Sequence, residues 1–299
     1  MAEVQANGIS ITYDAFGAKD APPVLLIMGL GAQMTRWSPA FCEALAARGF
    51  RVIRFDNRDA GLSHHLIDAG VPDMAAVTAA AQKGEAPDVP YTLHDMAADA
   101  VGVLDALGID RAHIVGASMG GMIAQLVAAD HPGRTLSLTS IMSTTGNPDL
   151  PRATPEAMAV LLNRPPHPSD EEAYLKHSVA ASRAIGSPGY PADEAVLRAN
   201  ALSDVKRCYE PTGFSRQIAA VTATGDRRAI LKTITAPTVV VHGADDPLVP
   251  VQGGHDTAAN IAGAALVIIP GMGHDLPPAL YDTIIDAIVS VAERSKTPA

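Results

Sequence analysis

Three short runs of β-branched and aliphatic residues, each bounded by Pro, Gly or Asp, frame the first half of the chain: residues 24–28, 52–56 and 113–116. Unbroken apolar runs of this length predict strands buried on both faces. Between the first two, residues 37–48 carry apolar side chains at helical spacing and end at Gly49, which predicts a helix with a glycine just past its end. Strand, helix and strand in that order make a βαβ unit, and hence a parallel sheet. Thr92, followed three places later by Asp95, resembles a capping box with Asp in place of Glu. It opens an apolar-periodic stretch to Leu107 that stops at Gly108 and should feed the strand at 113.

Further strands are expected at 136–143, 238–242 and 265–269, with a closing helix over 278–293. The alternation over 9–15 predicts an antiparallel edge strand on a mostly parallel sheet. From 146 to 233 the pattern changes: prolines crowd the segment and helical periodicity persists between them, but no strand pattern is present. Thr154 with Pro155 reads as an N-cap and first-turn pair, and Ser169 with Glu172 as a capping box. The expected organisation is therefore an α/β core built from 1–145 and 234–299, its mostly parallel sheet flanked by helices, with 146–233 inserted as a helical lid.

Composition narrows the function. At 299 residues, with 47% hydrophobic and 18% charged residues, the chain can bury a large core, and it contains no apolar run long enough for a membrane span. Residues 1–13 are polar and alternating, without the basic start and apolar stretch of a secretory signal, so a cytoplasmic location is expected. The net charge of -10, with no Lys/Arg block against it, argues against nucleic acid and for a small-molecule substrate. Cys42 and Cys208 stand far apart, outside any C-x-x-C or Cys/His cluster, and read as packing residues rather than a disulfide or zinc ligands.

The strongest chemical signal is Gly116-Ala117-Ser118-Met119-Gly120, placed after a strand and before the apolar helical run that starts near Met122. A serine on a sharp strand-to-helix turn sits in a strained conformation with its hydroxyl presented above the sheet, and the glycines let the chain pass without a clash. The new helix also aims amide N–H groups at the site, which suits an oxyanion. A serine hydroxyl needs a base, and that base an orienting acid. His274, in the loop Pro270-Gly271-Met272-Gly273-His274-Asp275 after the last expected strand, is the candidate base. The acid should leave an earlier strand end, where Asp245 and Asp246 both stand before Pro247; Asp246 is preferred and Asp245 stays open. Met28-Gly29-Leu30-Gly31 follows the first central strand, so the oxyanion donors are assigned as the N–H groups of Met119 and Leu30. No cofactor is required.

Other candidates carry competing readings. Asp56 and Arg58 suit a charged substrate or, as the preferred reading, a structural ion pair holding the loop after a strand. Adjacent His64 and His65 lack a third ligand spaced nearby, so no metal is expected. His242 ends a strand and should be buried or hydrogen-bonded there. Met119, Met122, Met142 and Met158 suit either an adaptable acyl pocket or the core.

In combination, Met28-Gly29-Leu30-Gly31, the run from Phe55 through Asp56, Arg58 and Gly61 to Ser63, the serine turn, His242-Gly243-Ala244-Asp245-Asp246 and Gly271-Met272-Gly273-His274 make the chain resemble an α/β-hydrolase-fold serine esterase. With Met28 where many members have His, and with its Asp-x-Arg-x-x-Gly-x-Ser run, it is similar to the aclacinomycin methylesterase group and related bacterial carboxylesterases. That resemblance implies a Ser118, Asp246, His274 triad, with Asp246 matched by motif, and hydrolysis of small to medium esters through an acyl-enzyme. A lactonase, a carbon–carbon bond hydrolase and a metal-free perhydrolase would use the same triad, and a non-catalytic ligand receptor would keep the fold without turnover. The few aromatic residues of the insert, Tyr174, Tyr190, Tyr209 and Phe214, favour aliphatic acyl groups.

Overall fold

The structure is a computed structural model that describes residues 1–163 and 165–295. Strands β1 (Ala2–Ala6), β2 (Ile9–Phe16), β3 (Pro23–Ile27), β4 (Arg51–Phe55), β5 (Ala112–Ala117), β6 (Thr135–Ile141), β7 (Thr238–Gly243) and β8 (Ala265–Ile269) form one sheet. Their spatial order is β1-β2-β4-β3-β5-β6-β7-β8. β1 pairs antiparallel with β2 and β2 with β4, and every later pairing is parallel. The helices are α1 (Pro39–Ala47), α2 (Met74–Lys83), α3 (Leu93–Ala106), α4 (Met119–Asp130), α5 (Pro155–Leu162), α6 (Glu171–Ile185), α7 (Glu194–Arg207), α8 (Thr212–Thr224), α9 (Arg228–Leu231), α10 (Gln252–Ala259) and α11 (Tyr281–Arg294).

The pleat explains why the central strands read as continuous apolar runs. Along β3, Leu25 and Ile27 enter a core with α3 and α4, whereas Val24 and Leu26 enter a second core with α1 and α11. Helix α11 presents Ile284, Ile285, Ile288 and Val291 to that second core, and each such side chain stabilises the fold by about 1.5–3 kcal/mol. The chain builds β3 and β4 on one side of the sheet before crossing to β5 on the other, so the gap between the C-terminal ends of β3 and β5 is a switch point where ligands dock in open α/β sheets.

Several local expectations shift. The strand expected at the edge over 9–15 is second in the sheet, because Asn7 (φ 50°) and Gly8 (φ 79°) form a hairpin turn that adds β1 outside it, with Ala6 opposite Ile9. The helix expected from Trp37 begins at Pro39, where Ser38 caps it by accepting from Phe41 N–H at 3.1 Å. Asp170, not Ser169, caps α6, accepting from Ala173 N–H at 3.1 Å, while Ser169 bonds to His167. Asp95 does cap α3, its carboxylate accepting from Thr92 N–H at 2.7 Å. Helices α2 and α10 lie where the apolar pattern along the chain predicts no element.

The stretch 146–233 carries α5 to α9 between β6 and β7, with no strand among its described residues. The final four positions of the expected core segment 234–299 lie outside the described residues.

Candidate active site

Ser118 joins β5 to α4 with φ 57° and ψ -121°, a left-handed conformation that costs a non-glycine residue on the order of 1–3 kcal/mol. The surroundings hold it there. Its N–H donates to Ile141 O at 2.9 Å, and its carbonyl accepts from the Ser143 hydroxyl and from Gly121 N–H, both at 2.9 Å. The glycines on either side are required by crowding: a Cβ at Gly116 would overlap the Gly120 carbonyl, and one at Gly120 would overlap that of Ile27. Ser118 itself stays partly exposed.

His274 arrives on the loop after β8, and its Nε2 lies 2.9 Å from Ser118 Oγ. Its Nδ1 lies 2.7 Å from Asp246 Oδ2. A carboxylate there requires the proton on Nδ1, which leaves Nε2 as the acceptor for the serine hydroxyl. The other oxygen of Asp246 accepts from Leu248 and Val249 N–H at 2.9 and 2.8 Å, which fixes the carboxylate plane. Asp245 points elsewhere: its Oδ2 accepts from Gly271 N–H at 2.7 Å and ties the β7 loop to the β8 loop.

A second set of bonds holds the histidine loop against the end of α6. His274 N–H donates to Ile185 O at 2.7 Å, Gly273 N–H to Ser187 Oγ at 2.9 Å and Gly189 N–H to Gly271 O at 2.9 Å. The Ser187 hydroxyl in turn donates to Asp275 Oδ1. Burial pushes the Asp275 carboxyl above the usual carboxylate range, against the opposing pull of its bonds to Ser187.

Two chain turns flank the serine on its other sides. Met119 is the first residue of α4, so its N–H has no acceptor within the helix and lies at the helix's positive end. On the opposite side, a Cβ at Gly29 would come 3.0 Å from Ser118 Cβ, so the 29–30 peptide lies against the serine. Ala32 N–H closes a turn over Leu30 and Gly31 by donating to Gly29 O at 3.2 Å, and Asn57 Nδ2 steadies its start by donating to Met28 O at 2.8 Å.

The remaining candidates hold structure. Asp56 and Arg58 do not pair with each other. Asp56 binds Arg207 at 2.6 Å and Met34 N–H at 2.7 Å, while Arg58 forks onto Asp99 with two 2.6 Å bonds. His64 is exposed, His65 Nε2 bonds to Gly61 O at 2.9 Å, and among the described residues no group of three or more His, Cys, Asp or Glu is arranged to hold a metal ion. His242 is buried, donates to Val249 O at 2.8 Å, and is held below its ordinary pKa by that burial. Met119 and Met122 pack in the core with α3 and α4, Met142 in the core with α1 and α11, and Met158 is half-buried on α5. Burial pushes the Cys42 thiol up to about 12 and also raises that of Cys208, so neither is an activated nucleophile.

Four residues that touch this site carried no recognisable signal in the sequence: Ser143, Ser187, Gln217 and Asp275. Ser143, Ser187 and Gln217 reach it only in the folded chain, and Asp275 gives no hint beyond following His274 directly.

Comparison with known proteins agrees with this architecture. The family model described as alpha/beta hydrolase fold matches residues 22–277. The chain is 30% identical to a rhodomycin D methylesterase of Streptomyces sp. strain C5, over 95% of each chain. It is 29% identical to a protein named as a carbamate hydrolase in Variovorax paradoxus, over 88% of each. Among solved structures, an enol-lactonase from Burkholderia xenovorans LB400 superposes with a TM-score of 0.72 at 24% identity, covering 98% of this chain and 100% of that one. Among the described residues no helix is long and apolar enough to cross a membrane.

Proposed function

The chain belongs to the α/β-hydrolase fold family, and from that premise we propose that it is a serine-dependent carboxylic ester hydrolase that works through an acyl-enzyme. The observation that carries the proposal is the continuous hydrogen-bond chain from Ser118 Oγ to His274 (2.9 Å) and from His274 to Asp246 (2.7 Å), at a serine held in a left-handed backbone conformation.

In the proposed reaction Ser118 Oγ attacks the ester carbonyl carbon while His274 Nε2 takes its proton. Asp246 stabilises the imidazolium that results. The carbonyl oxygen becomes an oxyanion, held by the N–H groups of Met119 and Leu30. Collapse breaks the bond to the alkoxide, which leaves with the proton from His274, and the acyl group stays on Ser118. Water then attacks the acyl carbon, giving its proton to His274, and the carboxylic acid departs as Ser118 recovers a proton.

The methylesterase similarity supports esters as the substrate class, with the segment 146–233 acting as a cap that sets substrate choice. The sparse aromatic residues of that segment favour small to medium aliphatic acyl groups. A small-molecule substrate and a cytoplasmic location complete the reading.

A panel of p-nitrophenyl esters from acetate to palmitate, run beside methyl esters, lactones and carbamates, tests it. Highest kcat/KM on esters is expected, and preference for another class redirects the substrate assignment. Ser118→Ala and Asp246→Asn should each lower turnover by about 10^4. Asp245→Asn, which keeps an acceptor for Gly271, should cost less than about tenfold. Full ester turnover in Ser118→Ala ends the proposal.

A further inference from the structure

We infer that Gln217, on helix α8 of the inserted segment, is a positioning residue for the oxyanion turn: its side-chain amide fixes the Gly29-Leu30-Gly31 peptides in the shape that aims Leu30 N–H at the reacting carbonyl. The inference rests on the reading of Ser118 as an acyl-forming nucleophile.

The start of the turn is anchored by the packing of Gly29 against Ser118 and by the bonds of Asn57 Nδ2 to Met28 O and of Ala32 N–H to Gly29 O. At the other end Gly31 is exposed and takes φ 65°, a left-handed conformation with many alternatives open to a glycine. Burial therefore does not hold it. Beside the Phe214 ring, the Gly31 peptide is tied down by its own hydrogen bond: Gly31 N–H donates to Gln217 Oε1 at 2.7 Å. Because the 30–31 peptide and the 29–30 peptide share the Leu30 Cα, a swing at Gly31 re-aims the Leu30 amide.

Gln217 suits this task. It is fully buried, and the other end of its amide donates to Arg58 O at 2.8 Å, so both ends are engaged and the amide cannot flip without losing both bonds. The same turn of α8 brings Phe214 against Gly31, where a Cβ would come 2.8 Å from the ring, and Arg216 onto Asp59. One turn of the insert thus grips the loop after β3 and the loop after β4 together.

Gln217→Met keeps length and removes the acceptor, whereas Gln217→Glu keeps an acceptor for Gly31. On p-nitrophenyl butyrate, Gln217→Met should lose on the order of 10–100-fold in kcat with little change in KM, because the contact matters where charge develops. Its Ki for a trifluoromethyl ketone, which forms a hemiketal oxyanion on the serine, should rise by the same factor, and Gln217→Glu should recover part of both. A cooperatively melting Gln217→Met whose kcat and Ki stay within about twofold of the parent, or whose loss lies in KM alone, overturns the assignment. Should Gln217→Met not fold, Gln217→Asn, one methylene too short to reach Gly31, carries the same decision. Ser118→Ala run in parallel separates the two readings. Loss of turnover there with Gln217→Met unaffected sinks only the role of Gln217, and retained turnover in Ser118→Ala removes the nucleophile and this role with it.

Discussion

Arg216 and Asp59 meet in a bidentate ion pair from which water is excluded: Nη2 lies 2.7 Å from Oδ1 and Nε 2.8 Å from Oδ2, and neither side chain has exposed surface. The pair joins α8 to the loop after β4. Tyr91 adds a third bond, its hydroxyl donating to Asp59 Oδ2 at 2.7 Å, and burial together with that carboxylate drives the phenol far above its usual range. Two charges in such a site are costly to desolvate, so the pair adds little net stability over an apolar replacement.

Breaking it from one side is another matter. Arg216→Met leaves the Asp59 carboxylate buried without its cation and should destabilise the protein by about 3–5 kcal/mol. Asp59 has φ 63°, a conformation Asn tolerates, so the double variant Arg216→Met/Asp59→Asn removes the orphaned charge without new backbone strain and should regain part of the loss. Urea unfolding of both variants measures the difference. An Arg216→Met protein as stable as the parent would mean that the pair is not buried in solution.

Ser118 offers a test of stored strain. At φ 57° a glycine is relaxed where serine and alanine are not. Relief of about 1–3 kcal/mol is offset by the extra backbone entropy glycine loses on folding, about 0.5–1 kcal/mol. Ser118→Gly should therefore be more stable than Ser118→Ala by about 1 kcal/mol, although neither carries a hydroxyl. Differential scanning calorimetry of the two variants decides it, and equal or reversed midpoints would show a relaxed turn.

The residues that proved readable in the sequence are those whose physical demands are local. Residues 24–28 read as a strand because the β3 segment is buried on both faces, so every position is apolar. The serine turn was readable because Gly116 and Gly120 answer crowding within five residues of chain. Asp245 and Asp246 were harder to separate, since both precede a proline turn; only the fold shows that one carboxylate turns to His274 and the other to Gly271. Gln217 was out of reach. Its partner Gly31 is 186 positions away, and one more polar residue after Ser215 and Arg216 leaves no periodic or turn signal. The edge strand β1 is a different case, because Asn7-Gly8 between alternating segments is a strong hairpin signal.

Acid stability should report on His242. Burial holds its pKa below the ordinary 6.5, with the Val249 carbonyl and the Asp246 carboxylate pulling up and His274 and His255 pushing down. The native state therefore favours the neutral ring. On unfolding the ordinary value returns, so below pH 6.5 the unfolded chain takes up a proton that the folded chain refuses. The contribution of His242 is present in full above pH 6.5 and is lost progressively as pH falls from there through the lowered folded value. His242→Gln, which keeps a donor for Val249 O, should flatten the decline of the urea midpoint as pH falls below 6.5. A decline as steep as the parent's would assign the proton uptake to another group.

The clasp between Ser187 and the histidine loop couples the segment 146–233 to His274. Ser187 Oγ accepts from Gly273 N–H at 2.9 Å while its own proton goes to Asp275, so one hydroxyl spans the residues on both sides of His274. Ser187→Ala removes both bonds and leaves a buried N–H without an acceptor, at a cost of about 1–3 kcal/mol. If that loop aims the imidazole, a shift of about 1 Å at His274 should lower kcat by up to about 10²-fold. Asp275→Asn separates aiming from charge. The amide oxygen still accepts from Ser187, and the substitution removes a carboxylate whose ionised form burial disfavours, so turnover should stay within about threefold of the parent and stability should not fall. Steady-state kinetics with p-nitrophenyl butyrate on both variants tests the pair. A Ser187→Ala enzyme with parental kcat would show that Ile185 and the Asp246 carboxylate hold the imidazole without help from the clasp, whereas a collapse in Asp275→Asn would mean that the charge beside His274 is itself used.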